Sequence, residues 1–419
     1  MKGRKPLKGE VTIQGSKNAV LPILAATILT NGKCRLKNCP RISDVECMCE
    51  LLLKVGCHIS REKRDLIVDT STIKGTVLSG DAVSCMRSSI ILLGPMLARC
   101  QEIRIDYPGG CVIGERPIDM HLDLIKKMGA TLSVEGMQIS AEADHLTGGE
   151  ISLAFPSVGA TENGILCAVL AKGKTVLTGC AREPEIVHLC HFLQAAGANI
   201  KGIGERRLEI EGVKRLYPVV YEVPADRIVA GTYLFSVVAA GGEICLVNAP
   251  VGEMSAAVEV ATQMGAEIYT TDTSMTIVQK TRPVAVDRIK TSVYPGFPTD
   301  LQSILMVAQA CAKGESVLEE TIFSDRFKIA KELNRMGADI RILDTCAYIK
   351  GRETLRAGEL FAKDLRGGAA LVLAGICAEG ESRIRNCHYI ERGYEDICRD
   401  YRKLGVTIEK TGRTAIGQS

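Results

Sequence analysis

The chain has 419 residues and 45.1 kDa, with 46% hydrophobic and 24% charged residues. That balance excludes a disordered chain and favours two domains of about 200 residues over one core. Its 52 basic and 49 acidic residues leave a net charge of +3, and aromatics are 4% without tryptophan; a nucleic-acid coat, a polybasic anchor and a base-stacking platform are excluded, so any anion site has to be local.

Read in chain order, one pattern recurs six times. A polar opening leads into an apolar helix, and an amphipathic helix end, a glycine, a small residue and a strand follow. SKNAVLPILAATILTNG is followed by LLLKVGCHI with Gly56, and MRSSIILLGPMLA by LIKKMGATL with Gly129. TENGILCAVLAKG precedes FLQAAGANI with Gly197, and DRIVAGTYLFSVVAAGG precedes ATQMGAEIY with Gly265. TDLQSILMVAQACAKG and LRGGAALVLAGICAEG come before ELNRMGADI with Gly337 and YRKLGVTIE with Gly405. The period is about 70 residues, long enough for a complete supersecondary unit. Each glycine suits the left-handed residue that closes a helix. The first helix of each pair is apolar on nearly all faces, which predicts burial at a domain centre, whereas its partner is amphipathic and closer to solvent.

Three units per domain predict two similar α/β domains with helices inside and sheets outside. The chain midpoint falls near VPADRIVAG, so Val223–Asp226 is the expected crossing. The predicted domains are residues 16–225, and residues 1–15 together with 226–419.

The buried helices also predict a functional surface. A helix start carries unpaired N–H groups and the positive end of the dipole, and favours anions. The six openings hold Lys17 and Asn18, Arg87, Thr161 to Asn163, Asp226 and Arg227, Asp300, and Arg366. Thr161 and Asp226 are explained as caps. Lys17, Arg87 and Arg366 are not, because the dipole opposes a cation there, and a cation placed against its local rule points to a bound anion.

Two loops carry further chemistry. In YPGGCVIGERPIDMH, Cys111 lies among glycines close to Arg116, and exposure beside a cation activates a thiol. The Arg116-Pro117 pair then opens a helix. In YPGFPTDLQ, a rigid turn precedes Asp300, which reads either as a cap or as a base for a substrate hydroxyl. Arg326, Arg366 and Arg392 each stand at a helix start or its approach. The other cysteines, among them Cys167, Cys245, Cys311 and Cys377, lie in apolar runs and read as small hydrophobes. His188, Cys190 and His191 are too close together on one helix to converge on a metal. The apolar stretches Ile90–Ala98 and Leu371–Ala378 are too short for a membrane span, and MKGRKPLKGEV has no apolar signal core behind it, so a cytoplasmic location is expected.

Taken together, GSKNAVLPILAA, GGCVIGERPIDMH, FPSVGATENG, AREPEIV, YPGFPTDLQ, FSDRF, DLRGGAALVLAG and IERGYE resemble the enolpyruvyl transferase family, specifically its branch acting on UDP-N-acetylglucosamine, over almost the whole chain. The resemblance implies two inside-out α/β barrel domains of three repeats each. It implies transfer of the enolpyruvyl group of phosphoenolpyruvate to the 3-hydroxyl of UDP-N-acetylglucosamine with release of phosphate, the first committed step of peptidoglycan synthesis.

By motif matching, Cys111 takes the role of general acid and Asp300 that of base for the 3-hydroxyl. Lys17, Asn18, Cys111, Arg116, Arg366 and Arg392 take the phosphoenolpyruvate contacts. Asn18, Arg87, Arg116, Pro117, Ile118, Asp119, Met120, Ser157, Val158, Gly159, Asp300, Ile322 and Arg326 take the nucleotide-sugar contacts. Phe155 stands where some relatives have lysine. No metal or organic cofactor is implied, and no nucleic-acid or membrane partner. A cysteine rather than an aspartate in the loop implies covalent inactivation by fosfomycin. Three alternatives stay open: the shikimate-pathway relative, which normally lacks the GGC cysteine and the SVGATEN loop; an RNA-terminal phosphate cyclase on related repeats, for which no histidine has a comparable setting; and a non-catalytic nucleotide-sugar-binding paralogue.

Overall fold

A computed structural model describes residues 1–3, 5–109 and 118–411. The chain divides into two compact units. One comprises Gln14–Asp226 with Ser292–Pro298, and the other Met1–Ile13, Arg227–Thr291 and Thr299–Ser419.

The first unit holds three sheets of one design. Lys33–Lys37 pairs in parallel with Val220–Glu222 and antiparallel with Asp65–Asp69, which forms a hairpin with His58–Glu62. The same order is repeated around Glu102–Asp106 and around Lys174–Thr178. Strand residues alternate between core and solvent, so Cys34 and Leu36, Leu66 and Val68, and Ile103 and Ile105 form the inner faces. Against these faces lie the apolar helices Lys17–Thr27, Leu93–Cys100 and Val158–Ala168. Val20, Leu21, Ile23 and Leu24 of the first are at most 2% exposed, and each such side chain contributes about 1.5–3 kcal/mol by leaving water. Gly94 lets two of these helices meet: a Cβ there would lie 2.8 Å from Asn163 Oδ1 and 3.0 Å from the Asn163 carbonyl oxygen.

The second unit repeats the design. Leu7–Thr12 runs parallel to Gly242–Val247, joining the first residues of the chain to a sheet built after residue 226. A second four-stranded sheet centres on Glu315–Glu319. Among the described residues the last repeat has two-stranded pairs, Leu355–Arg356 with Ala378–Glu379 and Glu359–Phe361 with Arg383–Arg385. The helices Arg227–Ala240, Gln302–Cys311 and Leu365–Cys377 form the buried layer. The helices-inside, sheets-outside α/β architecture is therefore as read. The sheets stay separate, and no closed barrel forms among the described residues.

The repeated glycines have the conformation their position demands. Gly56, Gly129, Gly197, Gly265, Gly337 and Gly405 all have φ between +87° and +106°. The residue after each donates its N–H back across the helix end, as Cys57 does to the Leu52 carbonyl at 3.0 Å and Val406 to the Tyr401 carbonyl at 3.0 Å. This closure satisfies carbonyls that would otherwise end unpaired.

Three local expectations change. The second apolar helix opens as a 3-10 turn, Arg87–Leu92, before its α-helical part. The strand expected after Gly405 reduces to one bridge between Thr407 and Lys2, because no returning strand follows among the described residues. The cysteines are mostly packing residues, as with Cys167, whose thiol burial pushes up to about 12, but the Cys47 and Cys85 sulfurs are paired side by side. No described helix is long and apolar enough to cross a membrane.

Candidate active site

Three of the buried helices begin at a residue whose side chain caps them. Ser16 Oγ accepts the Ala19 N–H at 3.3 Å, and Asp226 Oδ2 accepts the Lys17 N–H at 3.0 Å. Asp226 thus serves a helix far from it in sequence rather than acting only where it stands. Ser157 caps Val158–Ala168 through the Ala160 N–H, while Thr161 donates to the Ser157 carbonyl and accepts from Ala181 N–H. Ser157, not Thr161, is the cap.

Lys17 sits at this start with its Nζ 3.1 Å from Asp44 Oδ2, the two side chains 13% and 3% exposed. The charge opposed by the dipole is therefore balanced by an acid from the next helix. Asn18 Nδ2 donates to Glu185 Oε1 at 3.4 Å. Glu185 and Glu183 both bear on the fully buried Glu162, whose carboxyl is held well above the usual range, first by burial and then by these two charges.

Arg87 is half-buried, and burial lowers its pKa against the stabilising effect of Tyr107. Asp119 opens the helix Asp119–Lys127, with Ile118 buried before it and Met120 partly buried after it. His121 follows, 7% exposed. Its Nδ1 lies 2.8 Å from Asn163 Nδ2, while Asn163 Oδ1 accepts the Gly94 N–H at 2.9 Å and Nδ2 donates to the Ile90 carbonyl at 3.0 Å. Because Gly94 can only donate, the amide nitrogen must face the ring, so His121 Nδ1 accepts and the imidazole is neutral. Burial, with Arg87 second, pushes its pKa down to about 4. A Cβ on Gly159 would meet His121 Cε1 at 2.9 Å, so His121 packs directly on the Ser157–Gly159 turn that includes Val158.

In the other unit the expected residues meet directly. Asp300 stands on the 3-10 turn Thr299–Leu301 ahead of Gln302–Cys311. Arg326 Nη2 donates to Asp300 Oδ1 at 2.5 Å, and Arg366 Nη2 to Oδ2 at 3.1 Å. Both arginine side chains are under 5% exposed, whereas that of Asp300 keeps 24%. Arg366 follows Asp364, which caps its helix through the Gly367 N–H at 2.8 Å. The Ile322 N–H is held by Glu320 Oε1 at 2.8 Å. Arg392 ends the 3-10 segment Cys387–Arg392 and is partly buried.

Two guanidiniums thus hold the carboxylate between them, with a charge-assisted hydrogen bond on each of its oxygens. Sequence reading placed Asp300, Arg326 and Arg366 in the site but missed that they form one cluster. It named Asn163 only as part of a helix opening, and it missed Asp44, Glu320 and His121, whose roles depend on partners 21 to 42 residues away. Cys111, Arg116 and Pro117 lie outside the described residues. No group of three or more His, Cys, Asp or Glu side chains that could hold a metal occurs among the described residues.

Residues 1–401 match the family model for EPSP synthase (3-phosphoshikimate 1-carboxyvinyltransferase). The chain is 44% identical to UDP-N-acetylglucosamine 1-carboxyvinyltransferase 2 of Caldanaerobacter subterraneus subsp. tengcongensis, over 97% of each chain. It is 43% identical to the UDP-N-acetylglucosamine 1-carboxyvinyltransferase of Cellvibrio japonicus, over 97% of this chain and 98% of that one. Among solved structures, the enolpyruvyl transferase NikO from Streptomyces tendae superposes with a TM-score of 0.87 at 23% identity, covering 97% of this chain and 96% of that one. An EPSP synthase from Acinetobacter baumannii gives 0.74 at 20%, with 98% of each chain covered.

Proposed function

The chain belongs to the EPSP synthase-type family of enolpyruvyl transferases, alongside the UDP-N-acetylglucosamine 1-carboxyvinyltransferases, and we propose that it transfers the enolpyruvyl group of phosphoenolpyruvate to the 3-hydroxyl of UDP-N-acetylglucosamine, as the committing step of peptidoglycan synthesis. The observation that carries the reading is the Asp300 carboxylate gripped by Arg326 and Arg366. It supplies a base and an anion clamp within one hydrogen-bonded cluster, and the relatives' names supply the substrate pair.

The reaction needs three things: removal of the sugar hydroxyl proton, protonation of the phosphoenolpyruvate methylene, and cations for phosphate and carboxylate. Asp300 accepts the 3-hydroxyl proton while the oxygen forms its bond to C2 of phosphoenolpyruvate. Cys111 delivers a proton to C3, giving a tetrahedral adduct. The Cys111 thiolate then takes a C3 proton back as the double bond re-forms, the C2–phosphate bond breaks and phosphate leaves. Lys17, Arg116, Arg366 and Arg392 bind phosphoenolpyruvate. A bidentate arginine suits its carboxylate, so Arg366 shifts from Asp300 Oδ2 to the substrate and frees that oxygen for the sugar hydroxyl. Asn18, Arg87, the run Arg116 to Met120, Ser157 to Gly159, Ile322 and Arg326 receive the nucleotide sugar. The two substrates are negatively charged, so the cations that bind them also replace water around the reacting atoms.

Phosphate release tests this reading. With phosphoenolpyruvate present, release is expected with UDP-N-acetylglucosamine and not with shikimate 3-phosphate. Release with shikimate 3-phosphate alone assigns the chain to the other branch, and release with neither removes the activity.

A further inference from the structure

Glu320 is 3% exposed, and its carboxylate accepts four hydrogen bonds. Oε1 takes the Thr291 hydroxyl at 2.9 Å and the N–H groups of Ile322 and Phe323 at 2.8 and 3.1 Å. Oε2 takes the Thr299 hydroxyl at 2.9 Å. The hydroxyls cannot turn away. Thr291 Oγ1 already accepts the Thr321 N–H at 3.0 Å, and Thr299 Oγ1 accepts Arg326 Nε–H at 3.2 Å, so each sends its own proton to Glu320.

The chain of bonds thus runs Glu320, Thr299, Arg326, Asp300, with 2.5 Å at its last link. A separate branch fixes the backbone at Ile322. We propose that Glu320 is a positioning residue for the transferase reaction: through Thr299 and Arg326 it aims the Asp300 carboxylate, and through the Ile322 and Phe323 N–H groups it sets the segment that receives the nucleotide sugar. A buried carboxylate suits this task, because four donors leave it one orientation, and charge-assisted bonds are about twice as strong as neutral ones. The Arg326 guanidinium also lies 5.4 Å from the Phe323 ring centre, so both branches close on the same arginine. Aim matters because a small displacement of a reacting group costs far more rate than binding.

The inference rests on the reading of Asp300 as base, and the test separates the two. Steady-state kinetics are measured on the full chain, per mole of folded enzyme fixed by thermal unfolding. Thr299→Val removes only the hydroxyl link; kcat is expected to fall about 10- to 100-fold with both KM values within about twofold, and Thr299→Ser is expected to restore it. Glu320→Gln weakens both branches, because the amide keeps one acceptor oxygen of two and loses the charge, so kcat falls and KM for UDP-N-acetylglucosamine rises while that for phosphoenolpyruvate stays unchanged. A merely structural role would lower melting temperature and leave that asymmetry absent. Should Glu320→Gln fail to fold, Thr299→Val and Thr299→Ser decide the matter alone. A Thr299→Val enzyme with kcat within twofold of the parent overturns the inference. A parent enzyme with no acceptor-dependent phosphate release overturns the underlying reading instead.

Discussion

Asp300→Asn is expected to lower kcat about 10²- to 10⁴-fold, the range general acid–base catalysis supplies. Asparagine keeps the shape and can still present an oxygen to Arg326 Nη2, the 2.5 Å contact of the parent. It loses the charge, so it cannot take a hydroxyl proton, and its amide hydrogens face the Arg366 donors where a carboxylate oxygen stood at 3.1 Å. Two nearly buried guanidiniums then share a weaker counter-group. The stability loss stays below the roughly 3–5 kcal/mol of a broken, fully buried pair, because the Asp300 side chain keeps 24% exposure. Kinetics per mole of folded enzyme separate the two effects. A variant with more than a tenth of parental kcat would remove Asp300 from the chemistry.

Asn163→Leu carries the largest expected stability effect, about 3–6 kcal/mol against a typical total of about 5–15. The size follows from the number of groups stranded rather than from lost volume. Asn163 is 0% exposed and serves the Gly94 N–H, the Ile90 carbonyl and His121 Nδ1 together. Each buried group left without a partner costs about 1–3 kcal/mol. The loss also reaches the site, since the ring that Asn163 orients packs on Gly159 and lies in the field of Arg87. Urea unfolding measures it; a change below about 1 kcal/mol would show that the three groups find other partners.

The two substitutions mark what a single sequence discloses. The repeat was legible because it is written in local chemistry: a glycine at the same point of each helix end has positive φ at all six positions, and each apolar helix is buried. Asp300 and the arginines were legible because their residue types stand at helix starts. Their mutual contact was not, since Asp300, Arg326 and Arg366 come from three different openings brought together only by packing. Lys17 illustrates the same limit. Its position against the dipole pointed to an anion, and part of the answer is internal, in Asp44. Glu320 gave no signal because an acid just beyond a strand reads as an exposed residue until its four donors are in place.

The structure of the complex with UDP-N-acetylglucosamine bears on all of this at once. If Asp300 is the base, the sugar 3-hydroxyl oxygen will lie within about 3.2 Å of its carboxylate, with Arg326 still holding the other oxygen. A bound sugar whose 3-hydroxyl is out of reach of Asp300, while both carboxylate oxygens stay engaged by Arg326 and Arg366, would contradict the account.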